Sequence, residues 1–187
     1  MPFEHILIEN RAPVCVITGL LVKVLNALNS ATLMELSLAF DAAAADETIR
    51  VILLTGAGPK AFVAGADIAE LSGLDEAAGR AYAEHGDKLA RRMERLGKPI
   101  IVCIQGFALG GGCELAMACT LRLAAEEAKL GQPEVKLGLI AGFGGTQRLP
   151  RLVGRGAALK MLLTGGMVSA AEVLRIGLVD EWCRRVS

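Results

Sequence analysis

Residues 13–18 (PVCVIT), 50–55 (RVILLT) and 99–104 (PIIVCI) are short, nearly continuous apolar runs rich in β-branched side chains. Runs of this kind predict strands buried on both faces, as in a parallel sheet covered by helices. Between the first two lies SATLMELSLAFDAAAAD (30–46), where Leu33, Leu36 and Phe40 form one helical stripe and Ser30 stands as the N-cap. Between the second and third, EAAGRAYAEHGDKLARRMERLG (76–97) reads as a long helix with a polar and an apolar face; Gly97 stops it and Pro99 follows. LRLAA (121–125) predicts a further strand. Strands alternating with helices point to an α/β protein built from βαβ units with right-handed crossovers. With no internal repeat, low-complexity tract or linker, a single domain over 1–187 is the simplest account.

Composition narrows the function classes. Twenty Lys and Arg balance twenty Asp and Glu, so no basic field argues for nucleic acid or an anionic membrane surface. An anionic ligand must be held by local groups instead. The 22 glycines and 4% aromatic content suit a fold of small aliphatic side chains and many tight turns. Cysteines 15, 103, 113, 119 and 183 are odd in number, lie mostly in apolar runs and lack CxxC spacing. They are read as buried thiols in a reducing, cytoplasmic setting. The N-terminal MPFEHILIEN has no basic region ahead of an apolar stretch, so no signal peptide is expected. The apolar runs are broken by Lys23, Gln105 or glycines, short of the ~20 residues a membrane span needs.

GAGPKA (56–61) follows a strand and matches GxGxxA, with Asp75 at about the distance of a ribose-binding acid. Yet the residues after it make no amphipathic helix, and a dinucleotide site needs a helix N-terminus there to hold the pyrophosphate. Gly110-Gly111-Gly112 is a different case, because it ends a strand and begins a helix. The first N–H groups of such a helix lack internal partners, and the helix dipole adds partial positive charge. A developing oxyanion would be stabilised there. Three glycines alone are read more simply as a tight turn, unless a second donor exists. AFVAGADI (61–68) offers one, a backbone N–H left open by Gly65 and Ala66.

Two carboxylates complete the set. Taken singly, Glu114 is a dipole-stabilised acid in a first helical turn, and Glu134, after Pro133, is a loop acid. Brought together in an apolar pocket, their pKa values would be pushed apart, leaving one ionised as base and one protonated as acid. That pair suits addition of water across a polarised double bond. Nothing favours the other classes: His5 and His85 neighbour no nucleophile, GxSxG does not occur, and no cluster has metal-ligand spacing.

These residues resemble the crotonase, or enoyl-CoA hydratase/isomerase, superfamily from about Ile17 to Glu181. The resemblance rests on VLNALNS (24–30), AFVAGADIAEL (61–71), KPIIVCIQGFALGGGCELAMAC (98–119), LGQPEVKLGLIAGFGGTQRLPRLVG (130–154) and GLVD (177–180), in that order. It implies a crotonase-like spiral of ββα units that assembles as trimers or dimers of trimers. The N–H groups of Ala66 and Gly111 would form the oxyanion hole for the thioester oxygen. Glu114 would activate the attacking water and Glu134 would protonate the α-carbon. Lys23, Val24, Leu25 and Ala27, with Ala64, Asp67 and Ile68, match the segments that cradle coenzyme A, and Gly142 would line the acyl pocket. The implied activity is hydration of a trans-2-enoyl-CoA in fatty-acid β-oxidation or related acyl-CoA metabolism, with no metal or redox cofactor. Two alternatives stay open: double-bond isomerisation, which in this family can run with one acid, and a non-catalytic remnant that only folds or oligomerises.

The chain departs from the family pattern at Gly19-Leu20-Leu21-Val22, where an Asn-Arg-Pro sequence is common, and at Ala141, where a proline is usual. The family also continues beyond GLVD with helices that cover the acyl-CoA site, so those helices are expected to be absent. Trp182-Cys183-Arg184-Arg185 reads as a one-base frameshift of Val-Val-Pro-Ala. Such a loss would uncover apolar surface on 157–179 and remove a wall of the acyl pocket.

Overall fold

The computed structural model describes residues 3–183. Its elements run β1 (Ile6–Arg11), β2 (Val14–Gly19), α1 (Ser30–Ala45), β3 (Val51–Gly56), β4 (Ala61–Val63), α2 (Ile68–Leu71), α3 (Glu76–Glu94), β5 (Ile100–Ile104) and β6 (Phe107–Leu109). There follow α4 (Gly111–Met117), β7 (Leu121–Ala125), β8 (Lys129–Gly131), α5 (Gly145–Thr164), β9 (Met167–Ser169), α6 (Ala170–Arg175) and β10 (Glu181–Cys183). Three-residue and five-residue 3-10 turns occupy Val22–Val24 and Pro133–Leu137.

Two sheets share these strands. The larger has the order β1-β2-β3-β5-β7-β10, parallel throughout except for β1, which pairs antiparallel with β2. The smaller has the order β4-β6-β8-β9, with β9 antiparallel to its neighbour. Each pass of the chain therefore lays one strand in each sheet and then a helical segment. The passes β3–β4, β5–β6 and β7–β8 repeat this ββα plan in sequence.

The three apolar runs form strands within one residue of the positions their pattern predicts, and LRLAA is β7. Their burial, however, alternates. Cys15, Ile17, Ile52, Leu54, Ile100 and Val102 are buried beneath the helices, whereas Val16, Leu53 and Ile101 on the opposite face are only partly covered. The prediction of strands buried on both faces is corrected here: helices cover one face of the large sheet. The Leu33, Leu36 and Phe40 stripe of α1 faces that core, and α1 packs against α3.

Helix starts follow side-chain chemistry. The cap of α1 is Asn29, one residue before the expected Ser30. Its Oδ1 accepts the Thr32 N–H at 2.8 Å, while Ser30 donates its hydroxyl to Glu70. Such a cap is worth about 1 kcal/mol. Asp75 caps α3 by accepting the Ala78 N–H, which gives this acid a structural role. No helix begins at GAGPKA; the chain passes through a turn into β4. The Asp180 of GLVD pairs with the buried Arg122 guanidinium of β7 at 2.8 Å and also accepts the Arg122 N–H. That pair ties the approach to β10 onto β7, where Trp182 stands opposite Ala124.

Cys15, Cys113 and Cys119 are buried thiols and Cys103 is half-buried. On 157–179, Leu159, Leu163 and Met167 are exposed, while Met161, Val173, Leu178 and Val179 are buried. Ile140 is 81% exposed. The frameshift expectation falls in part on 184–187, outside the described residues.

Candidate active site

The glycine run explains itself in atoms. A Cβ on Gly110 would stand 3.1 Å from Glu134 Oε1 and 3.9 Å from Gly65 Cα, and this residue already has φ +50°. A Cβ on Gly111 would press to 2.9 Å from the Phe143 ring, and one on Gly112 to 2.3 Å from the Val63 carbonyl oxygen. Only a bare backbone lets β4, the 63–66 turn, the Glu134 turn and the 141–145 loop converge on the start of α4. The run is therefore more than a tight turn.

That convergence brings Gly65 and Gly110, the residues just before the two candidate donors, close together. The N–H groups of Ala66 and Gly111 donate to no protein acceptor among the described residues. Ala66 is held from behind by a parallel bridge to Leu28: the Leu28 N–H donates to the Gly65 carbonyl, and the Asp67 N–H donates to the Leu28 carbonyl. The Leu28 carbonyl also accepts the Tyr82 hydroxyl at 2.8 Å. Tyr82 in turn packs against Phe143 with ring centroids 5.5 Å apart.

Glu114, on the first turn of α4, is 1% exposed. Its Oε1 accepts the N–H groups of Phe143 (2.8 Å) and Gly145 (2.6 Å), which leaves Oε2 for other work. Burial pushes its carboxyl up to about 7, and the nearby Glu134 charge adds to the rise; the two N–H groups and the Arg148 charge oppose it. Glu134 is half-buried on the Pro133–Leu137 turn, and burial raises its carboxyl as well. The sequence expectation of two values pushed apart is thus modified: desolvation raises both, because the hydrogen bonds to Glu114 do not offset its complete burial.

The remaining predicted residues fall into two groups. Leu25, Ala27, Ala64, Ala66 and Asp67 share one rim, because the Ala64 N–H donates to the Leu25 carbonyl alongside the Leu28 bridge. Leu25 and Asn26 both take left-handed φ (55° and 57°) there, and the Asn26 amide fixes the bend by donating to the Ala57 and Ala61 carbonyls. Lys23 and Val24 are exposed on the adjoining turn, and Ile68 is exposed at the start of α2. The Asp67 side chain is engaged as the cap of α2. Gly142 is exposed and faces Ala83 of α3 rather than the glutamates directly.

Sequence reasoning missed Gln132. It is 1% exposed, and its amide nitrogen, turned toward the carboxylate, donates to Glu134 Oε1 (2.8 Å) and Oε2 (3.1 Å). A polar residue between Gly131 and Pro133, two before the acid, was the signal. Phe143 and Gly145 were missed because they act through backbone N–H groups, which leave no mark in a sequence. No group of His, Cys, Asp and Glu suited to a metal ion occurs among the described residues, and no described helix is long and apolar enough to cross a membrane.

Comparisons with known proteins find relatives in both sequence and fold. A family model described as enoyl-CoA hydratase/isomerase matches residues 9–186. The short-chain-enoyl-CoA hydratase of Clostridium acetobutylicum is 48% identical over 181 residues, spanning 97% of this chain and 69% of that protein. The crotonyl-CoA hydratase of Syntrophomonas wolfei is also 48% identical over 181 residues, spanning 97% of this chain and 70% of its own. The crystal structure of an enoyl-CoA hydratase from Bacillus anthracis superposes with a TM-score of 0.94 at 40% identity, over 97% of this chain and 70% of that one.

Proposed function

The chain belongs to the enoyl-CoA hydratase/isomerase family, and from that premise we propose that it adds water reversibly to a trans-2-enoyl-CoA to give the 3-hydroxyacyl-CoA. The observation that carries this reading is the pairing of a fully buried Glu114 with Glu134 beside two unpartnered N–H groups. In the proposed reaction the thioester oxygen lies between the N–H groups of Ala66 and Gly111. Negative charge gathers on that oxygen as the enolate forms, so donors fixed in advance stabilise the transition state more than the substrate.

Glu114 takes a proton from the attacking water, and Glu134 delivers one to the α-carbon. A base with a pKa of about 7 is matched to neutral pH, where it is substantially ionised yet still basic. Burial raises both carboxyls, and the reaction needs one of them ionised as base and the other protonated as acid. Isomerisation of a double bond would leave one of the two carboxyls idle.

The rim of Leu25, Ala27, Ala64, Asp67 and Ile68 would receive the coenzyme A thioester arm, with Lys23 as the exposed cation for its phosphates and Gly142 beside the acyl chain. All the groups the reaction needs come from the polypeptide, so the proposal calls on no metal or redox cofactor. Service in fatty-acid metabolism, a cytoplasmic location and assembly as a trimer belong to the same proposal; the buried thiols Cys15, Cys113 and Cys119 support a reducing compartment. The test is to add a trans-2-enoyl-CoA and follow the conjugated thioester absorbance. Loss of absorbance with formation of the 3-hydroxyacyl-CoA is expected, and no loss at high protein concentration would refute the reading.

A further inference from the structure

We infer that Arg148 is a positioning residue for the hydration base: its guanidinium locks the 143–145 backbone, and hence the two N–H groups that hold Glu114, onto helix α3. This rests on the reading of Glu114 as the base. Arg148 lies on the first turns of α5, and its side chain is only 11% exposed. It forks onto Glu94 of α3, with Nε 2.7 Å from Oε1 and Nη2 3.0 Å from Oε2. The remaining nitrogen, Nη1, donates to the Phe143 carbonyl at 2.7 Å and lies 3.7 Å from Asp87 Oδ1.

The Phe143 carbonyl belongs to the peptide unit between the two that donate to Glu114. Holding that oxygen fixes the direction of the Phe143 and Gly145 N–H groups on either side. Gly144 makes the approach possible: it has φ +90°, and a Cβ there would stand 2.2 Å from Arg148 Nη1. A planar fork that binds a carboxylate with two nitrogens and a carbonyl with the third is a task lysine cannot copy.

The same cation also acts through space. The charged and titratable groups around Glu114 are Glu134 on the 3-10 turn, Tyr82 on α3, Cys113 beside it on α4, and Arg148 on α5. Of these only Arg148 favours the ionised carboxylate by its charge. Asp87 and Glu94 of α3 face Arg148 and offset its charge in part. Removing the guanidinium should therefore make Glu114 harder to ionise and leave its N–H partners less well aimed.

The test titrates the Glu114 carboxyl by carbon-13 NMR in the whole protein, with the signal assigned by its loss in E114Q. In R148M the Glu114 titration should move to higher pH, and the acidic limb of the kcat/KM profile should move with it. The kcat at neutral pH should fall roughly 10- to 100-fold, the range for a misplaced catalytic group. R148K keeps the charge without the fork, so its titration should return toward wild type while kcat stays low. An unmoved Glu114 titration in R148M would overturn the inference whatever happens to the melting temperature. A wild-type kcat in R148K would overturn it too. A protein that hydrates no enoyl-CoA would sink the hydratase reading, and the titration would still decide the role of Arg148.

Discussion

Glu114 and Glu134, the proposed base and acid, stand in opposite settings. The first is enclosed on a helix whose every residue is buried, and two backbone N–H groups fix one of its oxygens. The second rides a short surface turn, and a single buried amide, Gln132, reaches it. Its neighbours Val135, Leu137, Leu139 and Ile140 are exposed. A base must keep a defined direction toward water and a tuned pKa, and burial among backbone donors supplies both. An acid that serves a carbon of the substrate can sit at the mouth of the site, where the substrate completes its surroundings.

Substituting the two acids tests this contrast most heavily. E114Q or E134Q should lower turnover by ~10²–10⁴, the range for losing one acid–base group. Acyl-CoA affinity, measured by calorimetry, should change little in either. Wild-type rates in both variants would break the site assignment.

Stability against pH separates the two settings next. The Glu114 carboxyl has a folded-state pKa of about 7 against an ordinary 4.5. Between those values the folded chain binds a proton that the unfolded chain has released, so stability falls as pH rises from about 4.5 to about 7. At about 1.4 kcal/mol per unit, the loss is on the order of 3 kcal/mol. Glu134 adds a contribution of the same sign. Urea unfolding across this range should show the decline, flattened far more by E114Q than by E134Q. Equal flattening would erase the distinction.

Two quieter variants sharpen the contrast without touching either acid. G145A would place a Cβ 2.8 Å from Glu114 Oε1 and should displace that carboxyl, lowering kcat roughly 10- to 100-fold. Q132L removes the amide that donates to Glu134 and should cost about 1–3 kcal/mol of transition-state stabilisation, roughly 5- to 150-fold in kcat. If the settings are distinct, a carboxyl titration should show G145A moving Glu114 and Q132L moving Glu134, each with little effect on the other.

The legibility of this molecule divides along similar lines. β2, β3, β5 and β7 could be read from their apolar runs, and α1 and α3 from their stripes, because elements of five residues and longer carry a visible pattern. The smaller sheet could not. Its strands β4, β6, β8 and β9 are three residues each, too short to show any alternation. Glu114 and Glu134 drew notice as carboxylates in unusual contexts. Their partners did not: Phe143 and Gly145 act through backbone, and Gln132 gains meaning only when the fold turns its amide toward Glu134. The roles of Asn29 and Asp180 likewise depend on neighbours the linear order does not display.

The central claim is that these unequal carboxyls act together on one water addition, and the double variant E114Q/E134Q tests it most directly. Groups that serve one step are far from additive, since losing either disables the same transition state. Steady-state hydration of a trans-2-enoyl-CoA by the wild type, both single variants and the double variant measures this. The account predicts that the double variant is about as slow as the slower single variant. A double variant whose loss equals the product of the two single losses would contradict it, because the carboxyls would then be acting independently.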